Sequence, residues 1–128
     1  MESAGVVVDT SIFIDYLRAK DKRNTVLFKI PDNRRIYISS VTLYELLMGA
    51  TDSQKIKDVH LLTDDTIILP FDEEVSIQAS EIYHDLRKSN TIIEFRDIFI
   101  ASTCLIHNLP IMTANTKHFQ RIKGLKME

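Results

Sequence analysis

The chain is poor in the residues that staple or punctuate a fold. Cys104 is the single cysteine, so no internal disulfide can form, and a reducing, cytosolic setting is expected. Only 3 Gly and 3 Pro occur in 128 residues, which excludes a Gly/Ser linker, a collagen-like repeat and a low-complexity tract. No apolar run approaches the roughly 20 residues that cross a bilayer. The opening Met1-Glu2-Ser3 is acidic, and no secretory signal is expected. An excess of positive charge is missing too. Lys and Arg number 16 against 18 Asp and Glu, a net charge of −2, which does not advertise nucleic-acid binding. What remains is 45% hydrophobic and 27% charged, the balance of a soluble globular chain. The length predicts one domain over residues 1–128, large enough to bury about two-thirds of its unfolded surface.

The charge is unevenly spread. Arg18, Lys20, Lys22 and Arg23 cluster, as do Arg34 and Arg35, and Lys117, Arg121, Lys123 and Lys126 make the tail basic. A phosphate-binding rim of this kind is compatible with an acidic centre in a near-neutral protein.

Short β-branched runs alternate with helical patterns. Gly5 to Asp9 reads as a buried strand, followed by Thr10 and Ser11 as caps of a helix from Ile12 to about Arg18. A second helix is predicted from Arg23 to Lys29, then a strand at Ile36–Ile38 and a helix from Val41 to Ala50. A polar helix from Ser53 to Leu62 precedes a strand at Thr66–Leu69. Asp72 is expected to cap a long helix in which Val75, Ala79, Ile82, Tyr83 and Leu86 share one face. Asp97 to His107 is apolar on most sides and is expected to be the most buried helix. A strand at Pro110–Thr113, a short helix at Lys117–Ile122 and a last strand at Leu125–Met127 complete the pattern. Strands and helices in alternation predict an α/β fold, with a mostly parallel sheet of four to five strands covered on both faces.

That topology gives the acids meaning, because ligands of such sheets sit beyond the strand C-termini. Asp9 ends the first strand, Glu45 lies early in the helix after the second, Asp97 opens the buried helix, and Asn115 follows the fourth strand. Four oxygen-bearing side chains from distant segments would share one edge. Carboxylates so placed repel each other unless a cation joins them, and hard Mg²⁺ or Mn²⁺ takes such ligands. A metal site for phosphoryl chemistry is therefore expected. Val8, Leu46, Ile98 and Ile100 bracket these acids, so the acids should be at least partly buried.

Four segments carry a family resemblance: Val7-Val8-Asp9-Thr10-Ser11, Leu43-Tyr44-Glu45-Leu46-Leu47-Met48-Gly49, Arg96-Asp97-Ile98-Phe99-Ile100-Ala101-Ser102, and Met112-Thr113-Ala114-Asn115-Thr116-Lys117-His118-Phe119. In this order they resemble the PIN domain, most of all the VapC-type toxins of bacterial and archaeal toxin–antitoxin pairs. The resemblance implies a three-layer α/β/α fold, Mg²⁺- or Mn²⁺-dependent endoribonuclease activity, a homodimer, and a VapB-type antitoxin that blocks the site. By position it makes Asp9 and Asp97 the principal metal ligands, Glu45 the third acid, and Thr113 the hydroxyl at the end of the fourth strand. Asn115 falls where members carry Asp or Asn, and His118 where an acid is common, which weakens the case for a second metal.

On this reading a metal-activated water attacks the phosphodiester in line, with Glu45 or Asp97 orienting or deprotonating it. Thr10, Ser11 and Thr113 would hold carboxylates or waters from behind. Arg18, Lys117 and Arg121 are expected to bind the RNA phosphates at the rim. Arg96 is placed to touch phosphate or to form an ion pair, and Glu94 is adjacent. Tyr16, Leu17, Leu46, Leu47 and Met48 are more apolar than one buried face requires, which suits a partner groove near the first and third helices. Three other readings share the topology. A receiver-type phosphoacceptor would need adjacent acids after the first strand and an acceptor Asp ending the third, where Leu69-Pro70-Phe71-Asp72 stands. A haloacid-dehalogenase-type phosphatase would need Asp in place of Ser11. The last is a PIN-like domain that binds RNA without cutting it.

Overall fold

A computed structural model describes residues 5–128. The first strand, β1 (Val6–Val8), is buried on both faces, as a central parallel strand must be. It runs into α1 (Thr10–Arg18), then a 3-10 turn at Lys22–Asn24 and α2 (Val26–Lys29). β2 (Ile36–Ser39) leads to α3 (Ser40–Met48) and α4 (Ser53–Thr63). β3 (Ile67–Leu69) precedes α5 (Glu73–Lys88) and α6 (Phe95–Ile106). β4 (Ile111–Met112) and α7 (Thr116–Phe119) follow.

The four strands form one parallel sheet in the order β3-β2-β1-β4. Val7 pairs with Tyr37 on one side and Ile111 on the other. Successive side chains on a strand point to opposite faces, and the core divides accordingly. Val6 and Val8 join Ile12, Phe13, Ile38, Leu46 and Val59 beneath α1, α3 and α4. Val7 joins Ile98, Ile100, Ala101 and Ile111 beneath α5 and α6. The result is three layers, helices on either side of the sheet. The strand order carries the functional consequence. From β1 the chain builds outward through β2 and β3, then returns to lay β4 against the opposite side of β1. Successive connections therefore diverge at the C-terminal ends of β1 and β4, and that divergence opens a crevice.

The expected helix face holds: Val75, Ala79, Ile82 and Leu86 are buried along α5, and the Asp72 carboxylate accepts the Val75 N–H at 3.0 Å. Several boundaries differ from the sequence pattern. α1 begins at Thr10, not Ile12, so Thr10 lies within the helix and not at its cap. The segment predicted as one helix at 23–29 breaks after Asn24, because Thr25 accepts the Phe28 N–H and starts α2 afresh. Asp97 stands in the first turn of α6, which opens at Phe95. The last helix ends at Phe119, short of Ile122. The predicted strand at Leu125–Met127 reduces to a single parallel bridge between Ile111 and Met127.

With glycine scarce, asparagine ends the long helices. Asn90 and Asn108 take positive φ, 56° and 52°. Beyond each, an N–H reaches back to the carbonyl five residues earlier, Thr91 to Leu86 at 2.8 Å and Leu109 to Cys104 at 2.9 Å. This is the paired-bond helix ending that ordinarily uses glycine.

Candidate active site

Asp9 follows β1 and occupies the N-cap position of α1, where an aspartate ordinarily accepts a helix N–H. It makes no such bond. The Asp9 N–H donates instead to the Met112 carbonyl at 2.9 Å, which ties the residue to β4 across the crevice. Its Oδ2 receives two hydroxyl protons, from Ser11 and from Thr113, each at 2.7 Å. Both hydroxyls have their roles fixed by the backbone. Ser11 Oγ accepts the Ala114 N–H at 3.0 Å and Thr113 Oγ1 accepts the Asn115 N–H at 2.9 Å. Each is left to donate toward Asp9, a side chain only 2% exposed.

Glu45 enters from α3. Ser39, at the end of β2, accepts the Val41 N–H and sets the start of that helix. Thr10 Oγ1 lies 2.9 Å from Glu45 Oε1 and 3.0 Å from Thr42 Oγ1. Asp97 enters from the first turn of α6, where the helix dipole favours an acid, and His118 Nδ1 lies 2.7 Å from its Oδ2. Arg96 bridges Glu94 at 2.7 Å and Glu45 at 3.4 Å.

Asp9, Glu45 and Asp97 thus line one small open pocket of about 180 Å³, with Ser11, Arg96 and Asn115 around them. Burial pushes the Glu45 carboxyl above its ordinary range. The Thr10 hydrogen bond and Arg96 oppose this, while Asp9 and Asp97 add to it. Burial likewise raises Asp97, against the His118 hydrogen bond and with Asp9 adding to the rise. Buried Asp97 and half-buried Glu45, which hold their protons more tightly than usual, beside buried Asp9, make a pocket short of positive charge. The donors are hard oxygens, which suits Mg²⁺ or Mn²⁺. Among the described residues no three His, Cys, Asp or Glu side chains form a ready-made cluster for a metal. A cation here would be held by few protein oxygens and completed by water.

The other candidates fall in different places. Val8, Leu46, Ile98 and Ile100 are buried as expected. Arg18 lines a neighbouring groove of about 510 Å³ between α1, α3 and α4 that also reaches Glu45. Lys117 is exposed on α7. Arg121 does not line the acid pocket; it lies in a separate groove beside Leu105. Leu17 and Met48 are exposed, but Leu46 belongs to the core. Asp72, the acid nearest the end of β3, is spent as the α5 cap, so the phosphoacceptor position of a receiver-type domain is not filled. Sequence reasoning missed Thr42, which is fully buried and carries no motif signal, and it left His118 without a role. Cys104 has its thiol pushed up to about 12 by burial, with Asp9 adding to the effect, and stays neutral.

A family model for the PIN domain matches residues 6–125. The chain belongs to the PIN domain family. Among PIN proteins it is similar to ribonuclease VapC1 of Methanocaldococcus jannaschii, 32% identical over 128 residues that cover 98% of this chain and 88% of that protein. It is also similar to ribonuclease VapC1 of Rickettsia felis, 32% identical over 96% of this chain and 94% of the relative. Its fold superposes on a chain in the structure of VapBC-1 from nontypeable Haemophilus influenzae with a TM-score of 0.81, at 28% identity over 96% of each chain.

Proposed function

We propose that this PIN domain is an Mg²⁺- or Mn²⁺-dependent endoribonuclease, the toxin of a VapBC-type toxin–antitoxin pair. One observation carries the reading: three carboxylates from distant segments line a single pocket where β1 and β4 part. The relatives' names, ribonuclease VapC1, point to the same reaction.

Asp9, Asp97 and Glu45 would hold the cation, with the neutral Asn115 beside them. Such an ion supplies charge stabilisation at the phosphodiester and lowers the pKa of a bound water. The chain's own groups do the rest. Ser11 and Thr113 hold Asp9 in one orientation, and Thr10 does the same for Glu45. Either Glu45 or Asp97, whose hold on protons is strengthened by burial, would take the single proton that the attacking water loses, while the other orients it. The water oxygen would join phosphorus, the bond to the 3′-oxygen would break, and that oxygen would leave as a hydroxyl with a proton taken from solvent. The products are 5′-phosphate and 3′-hydroxyl ends.

The chain acts as one domain, held by a cognate antitoxin of the VapB type. Its second state of association is a homodimer. Phe95 is 61% exposed and Phe71 39%, and both rings contact Phe99, at 6.5 and 4.7 Å between centroids. This aromatic face lies two residues from Asp97, and a like copy would cover it. No described helix is long and apolar enough to cross a membrane.

The test is cleavage of RNA by the purified protein with Mg²⁺ or Mn²⁺, and again after chelation. Cut ends that appear only with the cation and vanish in Asp97→Asn support the reading. RNA that is bound but never cut favours the non-cleaving alternative.

A further inference from the structure

A second groove of about 370 Å³ opens at the far end of α6. Leu105, on its floor, is eight residues beyond Asp97 on the same helix, or about 12 Å along the axis at 1.5 Å per residue. Three cations from two distant segments line it: Lys88 from the last turn of α5, and Arg121 and Lys123 from the chain after α7. Asp85 is the one acid in the lining. A cation in the last turn of a helix is favoured by the dipole, which accounts for Lys88 alone. Dipole logic does not bring Arg121 and Lys123 to the same groove. None of the three cations forms an ion pair among the described residues. Arg121 is held beside the groove by a 3.4 Å bond from its Nη1 to the Thr91 carbonyl. Three unpaired cations on a concave surface are the electrostatic footprint of a phosphate backbone.

We propose that this groove grips the RNA backbone at a distance from the cut, so that the chain selects substrates long enough to span from the acid pocket to the Leu105 end of α6. The proposal rests on the nuclease reading and adds a length requirement to it. Each backbone phosphate neutralised releases counterion, worth roughly 0.7 in the slope of log affinity against log salt for a single strand. Binding is read by fluorescence anisotropy in an Asp9→Asn background, so that the RNA is not consumed. The probes are a transfer-RNA-sized transcript and a dinucleotide fragment of it, which at about 3.4 Å per nucleotide is too short to reach from the acid pocket to the groove. Replacing Lys88, Arg121 and Lys123 together with Ala should lower the salt slope for the long RNA by about 2. It should also weaken long-RNA binding at least tenfold more than binding of the fragment.

A second variant guards against misfolding of the first. Asp85→Lys adds a cation where the helix dipole welcomes one, and should steepen the long-RNA slope while leaving the fragment's slope unchanged. Equal losses for long and short RNA, or an Asp85→Lys slope identical to that of the parent, overturn the grip. Wild-type protein that cuts neither RNA with Mg²⁺ or Mn²⁺ overturns the nuclease reading instead, and the two failures are told apart by the cleavage lane.

Discussion

Asp9 and Asp72 stand in matching local settings: each follows a strand of the same sheet and each occupies the N-cap position of the next helix. They are used in opposite ways. Asp72 accepts the Val75 N–H and completes α5. Asp9 caps nothing and instead collects hydroxyl protons from Ser11 and Thr113. The difference comes from strand order. β3 is at the sheet edge, so the end of its strand faces no neighbour beyond β2, and its acid serves its own helix. β1 is central, with β4 beside it and β2 on its other side. Its acid therefore meets a hydroxyl that arrives from more than a hundred residues away. A similar sequence signal, strand then aspartate then helix, with Pro70 and Phe71 inserted only before Asp72, becomes a cap at an edge and a candidate catalytic group at the divergence of the sheet.

That contrast can be broken most forcefully at the pocket. Asp97→Asn should lower RNA cleavage by at least about a hundredfold, the scale of a lost acid–base group, measured under saturating Mg²⁺. Thr113→Val removes the β4 hydroxyl that makes Asp9 unlike Asp72. Cleavage should fall about 10–100-fold, as when a group that orients a metal ligand is lost, with the fold retained by circular dichroism.

The pH dependence of stability separates the two settings next. Glu45 and Asp97 are held above the ordinary carboxylate range. Their neutral forms therefore favour the fold. The stability they contribute is complete below the ordinary range and is lost as pH rises through the raised values. In a chelator, wild type should lose melting temperature across that window relative to Glu45→Gln, which no longer titrates there. Curves that stay parallel would show that Glu45 is not strained. The smallest effect belongs to a cap of the Asp72 kind. Asp52 accepts the Lys55 N–H at 2.8 Å, so Asp52→Ala should cost about 1 kcal/mol in denaturant melts and leave cleavage as it was.

Much of the fold was legible in the residues. The β-branched runs mark β1 to β4 and the 3.6-residue spacing marks the buried face of α5, because both signals are local. The three acids were legible because each interrupts an apolar stretch. Strand order was not legible, since it depends on which edge the chain returns to after β3. For that reason the Asp9–Thr113 and Asp97–His118 partnerships could not be read from spacing. Arg121 shows the limit of composition: it belongs to a basic tail in sequence but sits beside Leu105, away from the acid pocket. The last predicted strand failed because Leu125–Met127 reaches β4 at one residue pair only.

The most direct test places Asp9→Asn and Asp72→Ala side by side, with RNA cleavage and thermal melting measured on the same preparations. The account predicts that Asp9→Asn cuts no RNA and melts at or above the wild-type temperature. Asp72→Ala should cut at the wild-type rate and melt lower, by about 1 kcal/mol of lost capping. An Asp9→Asn protein that cleaves normally and melts lower would make Asp9 a structural residue like Asp72, and would contradict the account.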